Sequence, residues 1–231
     1  MGGWLVADYF PGIPKLLRAA GNRVFTARLS PTGGIAERAE QLKSVIERES
    51  PHEPVHIFGH SMGGLDARYM ISRLGMAKRV HSLTTLGTPH RGTAFADWGV
   101  RRFRSLACPL FRFFGLSYQA FEDLTTARCR RFNREVEDAP GVNYYSVAGK
   151  VHADTMAWHW QVPSRIIDRL EGENDGVVSV SSARWGKDCE VWDGDHMSLV
   201  NWTGQRVTDD ISDGNLARYA SLVRRLADHG F

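Results

Sequence analysis

Cysteine is scarce in this chain: Cys108, Cys129 and Cys189 are its three, far apart, and no Cys-x-x-Cys occurs. That spacing excludes a disulfide framework and a zinc site and leaves room for one pair at most, such as Cys108 with Cys129. Any run near the roughly 20 apolar residues of a membrane span is missing as well. The N-terminus lacks the charged, apolar and small-residue succession of a signal peptide. As it stands the chain therefore reads as cytoplasmic. The net charge is +3 and the pI about 8.9, yet no basic stripe is interleaved with stacking aromatics, which argues against a nucleic-acid partner. Two basic clusters, Arg101-Arg102-x-Arg104 and Arg128-x-Arg130-Arg131, read as solvated helix faces, with attraction to anionic lipid as the alternative. Internal repeats and dividing linkers are also absent. With 231 residues, 42% of them hydrophobic, the chain reads as one globular domain spanning 1–231, neither disordered nor a coiled coil.

What the sequence does contain is an apolar run that stops at a serine fenced by glycines, Val55-His56-Ile57-Phe58-Gly59-His60-Ser61-Met62-Gly63-Gly64. Gly59-x-Ser61-x-Gly63 has the spacing of a nucleophile elbow, a strand-to-helix turn in which strain lifts a serine hydroxyl above the sheet edge and only hydrogen side chains fit beside it. The first turn of the following helix offers free N–H groups, and its dipole favours an oxyanion there.

Around the elbow the chain predicts alternating strands and helices. Residues 4–20 suit a helix interrupted by Pro11 and Pro14 and closed at Gly21. Residues 23–29 suit a strand, and Ala39, Leu42, Val45 and Ile46 line a helix that Pro51 stops. Apolar strands follow at 80–86 and 142–147, and a short one at 189–192. A helix restarts at Met197, and an amphipathic helix over 215–227 closes the chain. Strands separated by helices on this scale imply a mostly parallel sheet flanked by helices. Residues 94–139 show no strand signal but many aromatics, among them Trp98, Phe103, Phe111 and Phe121. They predict a helical insertion whose later part, 122–136, is one regular helix. The insertion either packs on the sheet as core or serves as a lid or acyl-chain pocket. Beyond Val162 the chain turns polar and suggests loops.

A serine hydroxyl needs a base, and the base needs an acid to hold its tautomer. In the α/β-hydrolase order the nucleophile comes first, the acid second and the base last. Ser61, Asp175 and His196 obey it, with Asp175 in an Asn-Asp-Gly turn and His196 just after the last predicted strand. His90, in a strand-end loop, and His60, which the elbow directs away from Ser61, compete for the base role. Asp193 and Asp195 compete for the acid role, but they stand so close to His196 in sequence that turn formation is their simpler reading.

The motifs Gly59-His60-Ser61-Met62-Gly63-Gly64, Gly87-Thr88-Pro89-His90-Arg91-Gly92, Asn174-Asp175-Gly176 and Asp195-His196 occur together with Gly12-Ile13-Pro14, Glu40-Gln41-Leu42 and Arg131-Phe132-Asn133. In these the chain, from about Tyr9 to Trp202, resembles the bacterial triacylglycerol lipases of the α/β-hydrolase superfamily. The resemblance implies an α/β-hydrolase fold with a helical lid-like insertion. It implies Ser61 as nucleophile, Asp175 as acid, His196 as base and the Met62 backbone N–H as an oxyanion donor; the expected partner is a hydrophobic ester or lipid, with contact to a lipid surface through the insertion only under its lid reading.

Three departures accompany it. Such lipases open with a strand ending in His-Gly that supplies the second oxyanion donor, and no such strand precedes Trp4, so the N-terminal strand looks missing. Losing one donor costs roughly 3 to 4 kcal/mol of transition-state stabilisation. Ser198 stands where many members carry a calcium-binding aspartate, which argues against structural calcium, although Asp154 could contribute to a site built differently. No cofactor is expected. Ser181 and Ser182 stand where secreted members often carry a cysteine. The expected activity is ester hydrolysis through an acyl-enzyme, with a catalytically impaired relic or an acyltransferase or thioesterase as alternatives.

Overall fold

A computed structural model describes residues 9–102, 118–156, 158–202 and 214–228. The chain divides into two compact units, one formed by Met1–Thr26 with Met197–Phe231 and the other by Ala27–His196.

The larger unit holds a four-stranded parallel sheet in the order β1-β2-β3-β4, with β1 Val55–His60, β2 Val80–Leu86, β3 Asn143–Lys150 and β4 Asp188–Asp193. Strand order follows chain order, so each strand is laid beside its predecessor by a crossover through helix, as parallel pairing demands. Helix α2 (Ile35–Glu49) precedes β1, and α3 (Met62–Arg73) links β1 to β2. Helices α4 (Ala94–Arg102), α5 (Tyr118–Asp123) and α6 (Thr126–Glu135) lie between β2 and β3, with α7 (Trp158–Glu171) and α8 (Val180–Ala183) between β3 and β4. Among the described residues no strand precedes β1.

The core has two main clusters. Ala39, Leu42, Ile46, Ala67, Met70, Ile71, Leu83 and Val142 join α2 and α3 to the sheet. Met62, Leu65, Phe95, Phe121, Leu124, Cys129 and Ile167 join the start of α3 to α4, α6 and α7. Phe95 stacks on Trp98 at 6.0 Å and meets Phe121 edge-on at 5.8 Å, so this part of the aromatic insertion is packing. Phe103, Phe111 and Cys108 lie outside the described residues.

In the smaller unit α1 (Ile13–Ala19) packs against α9 (Gly214–Asp228). Asn201, in the left-handed region at φ 64°, donates its amide to Pro11 O at 2.8 Å. The buried Tyr219 hydroxyl donates to Leu199 O at 2.7 Å.

Several expected elements differ. Of the helix expected over 4–20, residues 4–8 lie outside the described residues, and the described part begins at Ile13, with Pro14 in its opening turn. Residues 23–29 form no strand. Their surroundings are held by side chains instead, Arg18 donating to Val24 O, and Gln41 and Arg38 binding the Ser30 backbone. The helix expected over 122–136 is broken at Leu124 and Thr125, because the Thr125 hydroxyl accepts from Arg128 N and caps a new helix. The loops expected after Val162 are instead α7, which runs through Pro163. Burial of Ile167 in the core outweighs the proline's missing donor. The helix restart at Met197 is a short 3-10 turn, Ser198–Val200.

Candidate active site

Ser61 is where β1 turns into α3, at φ 52° and ψ −130°, a conformation that costs a non-glycine residue roughly 1 to 3 kcal/mol and persists only where its surroundings enforce it. Here they do. Ser61 N donates to Leu86 O at 2.9 Å at the end of β2, and Ser61 O accepts from the buried Thr88 hydroxyl at 2.7 Å. Close approach explains two of the glycines: a Cβ at Gly59 would lie 2.9 Å from Gly64 Cα, and one at Gly64 would lie 2.2 Å from Thr88 Oγ1. At Gly63 a Cβ would meet nothing within 4 Å. The steric requirement therefore falls on Gly59 and Gly64, and the expectation that Gly63, the second glycine of the spacing, is needed for room is corrected.

Asp175 and His196 are brought into direct contact, with His196 Nδ1 2.7 Å from Asp175 Oδ2 and both residues buried. The other carboxylate oxygen accepts from Val177 N at 2.9 Å and Val178 N at 2.8 Å. An ionised carboxylate only accepts, so facing it His196 Nδ1 is the donor, which leaves Nε2 as the acceptor a base requires. His196 N also donates to Asp175 O at 2.9 Å. The Asp175 loop is itself fixed by Asn174, whose side chain accepts from Gly176 N and Ser164 Oγ and donates to Ser164 O. The residue before Ser61 touches this pair: His60 Nε2 is 2.9 Å from His196 O and the two rings lie 4.5 Å apart.

His90, a rival for the base role, is fully buried and otherwise engaged. Its Nε2 bonds Thr85 Oγ1 at 3.0 Å, its Nδ1 faces Arg68 Nη1 at 3.3 Å, and its ring stacks on Trp185 at 4.9 Å. Burial, with Arg68 and Arg91 nearby, holds its pKa well below the usual value. It is a neutral strut for the loop after β2. Arg68, which sequence reasoning missed, anchors that strut from inside α3. It donates to Asn133 Oδ1 and Val136 O and lies 3.8 Å over Trp185, and desolvation lowers its pKa to about 10. No local pattern signalled it, because Asp66 and Arg68, two residues apart, stand on nearly opposite sides of α3.

Ser181 and Ser182 tie α8 to the loop after β2 by hydrogen bonds: Arg91 N donates to Ser182 Oγ, Ser182 Oγ donates to Gly92 O, and Arg91 Nη1 donates to Ser181 O. Cys129 is buried, its thiol 3.4 Å from Pro89 O and its pKa pushed up to about 12 by burial. Among the described residues no group of three His, Cys, Asp or Glu could hold a metal ion. Asp154 is exposed and pairs with Arg165 at 2.9 Å, and Ser198 O accepts from Asn215. No described helix is long and apolar enough to cross a membrane.

Comparison with known proteins identifies the family. A triacylglycerol lipase of Pseudomonas fragi is 32% identical over 269 aligned positions, which cover 96% of this chain and 90% of that protein. The chain belongs to the triacylglycerol lipase family of the α/β-hydrolase superfamily. Triacylglycerol lipase 2 of Saccharomyces cerevisiae is also 32% identical, over 90% of this chain and 66% of its own length. Of the first curated relatives it matches, the chain spans about two thirds of the length or less. Residues 22–131 match the model of the palmitoyl protein thioesterase family. A solved metagenomic carboxyl esterase superposes with a TM-score of 0.76 at 20% identity, covering 96% of this chain and 70% of that one. This last likeness establishes the fold alone.

Proposed function

We propose that this member of the lipase family hydrolyses carboxylic esters through an acyl-enzyme on Ser61. In the first half-reaction Ser61 Oγ forms a bond to the ester carbonyl carbon while His196 Nε2 takes the hydroxyl proton. The Met62 N–H, which has no intrahelical acceptor at the start of α3, faces the oxyanion. Collapse breaks the ester C–O bond, and the leaving alcohol takes its proton from His196. Water then repeats the sequence, giving its proton to His196 and returning Ser61 with release of the acid. Asp175 offsets the imidazolium charge formed at each half-reaction.

The observation that carries this reading is the Asp175 carboxylate, held by two backbone N–H groups and turned onto His196 Nδ1. The triacylglycerol lipases among its relatives favour a medium or long acyl chain. Ser61→Ala is expected to abolish turnover of p-nitrophenyl esters and labelling by a fluorophosphonate without lowering the melting temperature. Near-wild-type turnover in that variant would remove Ser61 from the mechanism. Faster turnover of the butyrate than of the palmitate ester would make it a plain esterase. A second reading follows from the thioesterase match, which includes Ser61: the same steps with a thiolate leaving group. A palmitoyl thioester cleaved faster than the palmitate ester would favour it.

A further inference from the structure

Among the described residues the His196 backbone and ring make three hydrogen bonds. His196 N binds Asp175 O at 2.9 Å and His196 Nδ1 binds Asp175 Oδ2 at 2.7 Å; both are internal to the Asp175–His196 pair, which could shift as a body against Ser61 with these two bonds intact. The third reaches across to β1, where His60 Nε2 lies 2.9 Å from His196 O. A carbonyl oxygen only accepts, so Nε2 carries the proton and His60 is the donor. His60 is 6% exposed, its ring sits 4.5 Å from that of His196 at 42°, and it is the last residue of β1, next to Ser61. We infer that His60 is a positioning residue: it ties the general base to the strand that carries the nucleophile and so sets the register between Ser61 and His196.

Its chemistry suits the task. Burial, and the charge His196 can carry, hold the His60 pKa well below the ordinary value, so it stays neutral and does not oppose the imidazolium that forms on His196 during turnover. The inference rests on the acyl-enzyme reading above, since it matters only if His196 acts on Ser61.

The test uses the full chain with His60→Gln, whose amide reaches about as far as Nε2, and His60→Asn, whose amide does not. Both variants are polar and near-isosteric with part of the ring, and thermal melting checks that each folds. His60→Asn is expected to lose about 100-fold in kcat with KM little changed, the loss that a misplacement near 1 Å produces, and to react correspondingly slowly with a fluorophosphonate. His60→Gln is expected to recover most of both. Equal rates for Asn and Gln, or a change confined to KM, would overturn the tie while leaving the acyl-enzyme reading intact. A wild-type chain that neither hydrolyses esters nor takes the label would overturn that reading and this inference with it. If neither variant folds well enough for kinetics, His60→Leu is read by its crystal structure: His196 unmoved against Ser61 would also overturn the tie.

Discussion

Asp66 and Asp175 are both fully buried, and each faces a basic partner, yet their surroundings differ in one respect. Asp175 has both oxygens occupied, one by the Val177 and Val178 N–H groups and the other by His196. Asp66, on α3, receives Arg38 Nε and Nη2 on the same oxygen, each at 2.8 Å, while its other oxygen is buried with no hydrogen-bond partner among the described residues. Burial, only partly offset by Arg38 and reinforced by Asp123, pushes the Asp66 carboxyl up to about 7. The difference follows from backbone state. A loop has N–H groups free to turn toward a carboxylate, whereas the N–H groups around Asp66 are consumed by the helix. A buried carboxylate is held ready for chemistry where the chain is irregular, and is left half-satisfied where it is regular.

The hardest test of this contrast is Asp175→Asn. An amide cannot accept on every side, so His196 loses its tautomer, and kcat/KM is expected to fall by about 10⁴-fold, or roughly 5 kcal/mol, with the melting temperature little changed. A loss under tenfold would put Asp175 on a par with Asp66 and break the comparison.

Asp66→Asn should leave turnover alone and change the pH dependence of stability. The folded carboxyl titrates near 7, well above its ordinary value. Its contribution to stability is therefore complete below pH 3.8 and is lost as pH rises to about 7, a swing on the order of 4 kcal/mol. His60 and His90, both held low, act in the opposite sense, losing stability as pH falls below about 6.5. They are common to both proteins, so the difference between variant and wild type in urea unfolding from pH 4 to 8 isolates Asp66. A difference that does not vary with pH would show that Asp66 is as well satisfied as Asp175.

The smallest of the three effects is expected from Arg38→Met. It should cost about 3 kcal/mol at pH 8, where the carboxylate is left alone, and less at pH 6, where the carboxyl can stay protonated. Adding Asp66→Asn should recover part of the loss, and urea midpoints of the single and double variants measure the coupling.

The two aspartates also differ in how visible they were. Asp175 could be picked out because it stands in an Asn-Asp-Gly turn between a serine and a histidine in the right chain order. Asp66 carries no such flag, since a charge inside an amphipathic helix usually faces water. The strands β1 to β3 were legible as largely apolar runs between turn signals, and β4 as a short apolar centre, Val191-Trp192, before the turn at Gly194. Helix α7 was not, since Pro163 and the polar residues around it mask an apolar face that only Ile167 and its neighbours in the core reveal. The strand expected over 23–29 shows the converse error: alternation is a local signal, but a strand exists only where a ladder receives it.

The sequence by itself determined the turn at Ser61, the parallel strands and the order of the three candidate residues, because glycine placement and apolar runs act over a few residues. Tertiary structure alone decided that Asp175 meets His196, that His60 holds the His196 carbonyl, that Gly64 rather than Gly63 must lack a side chain, and that His90 is a strut. Each of those depends on which atoms arrive within 3 Å of one another from strands and loops far apart in the chain, and no local pattern records that distance.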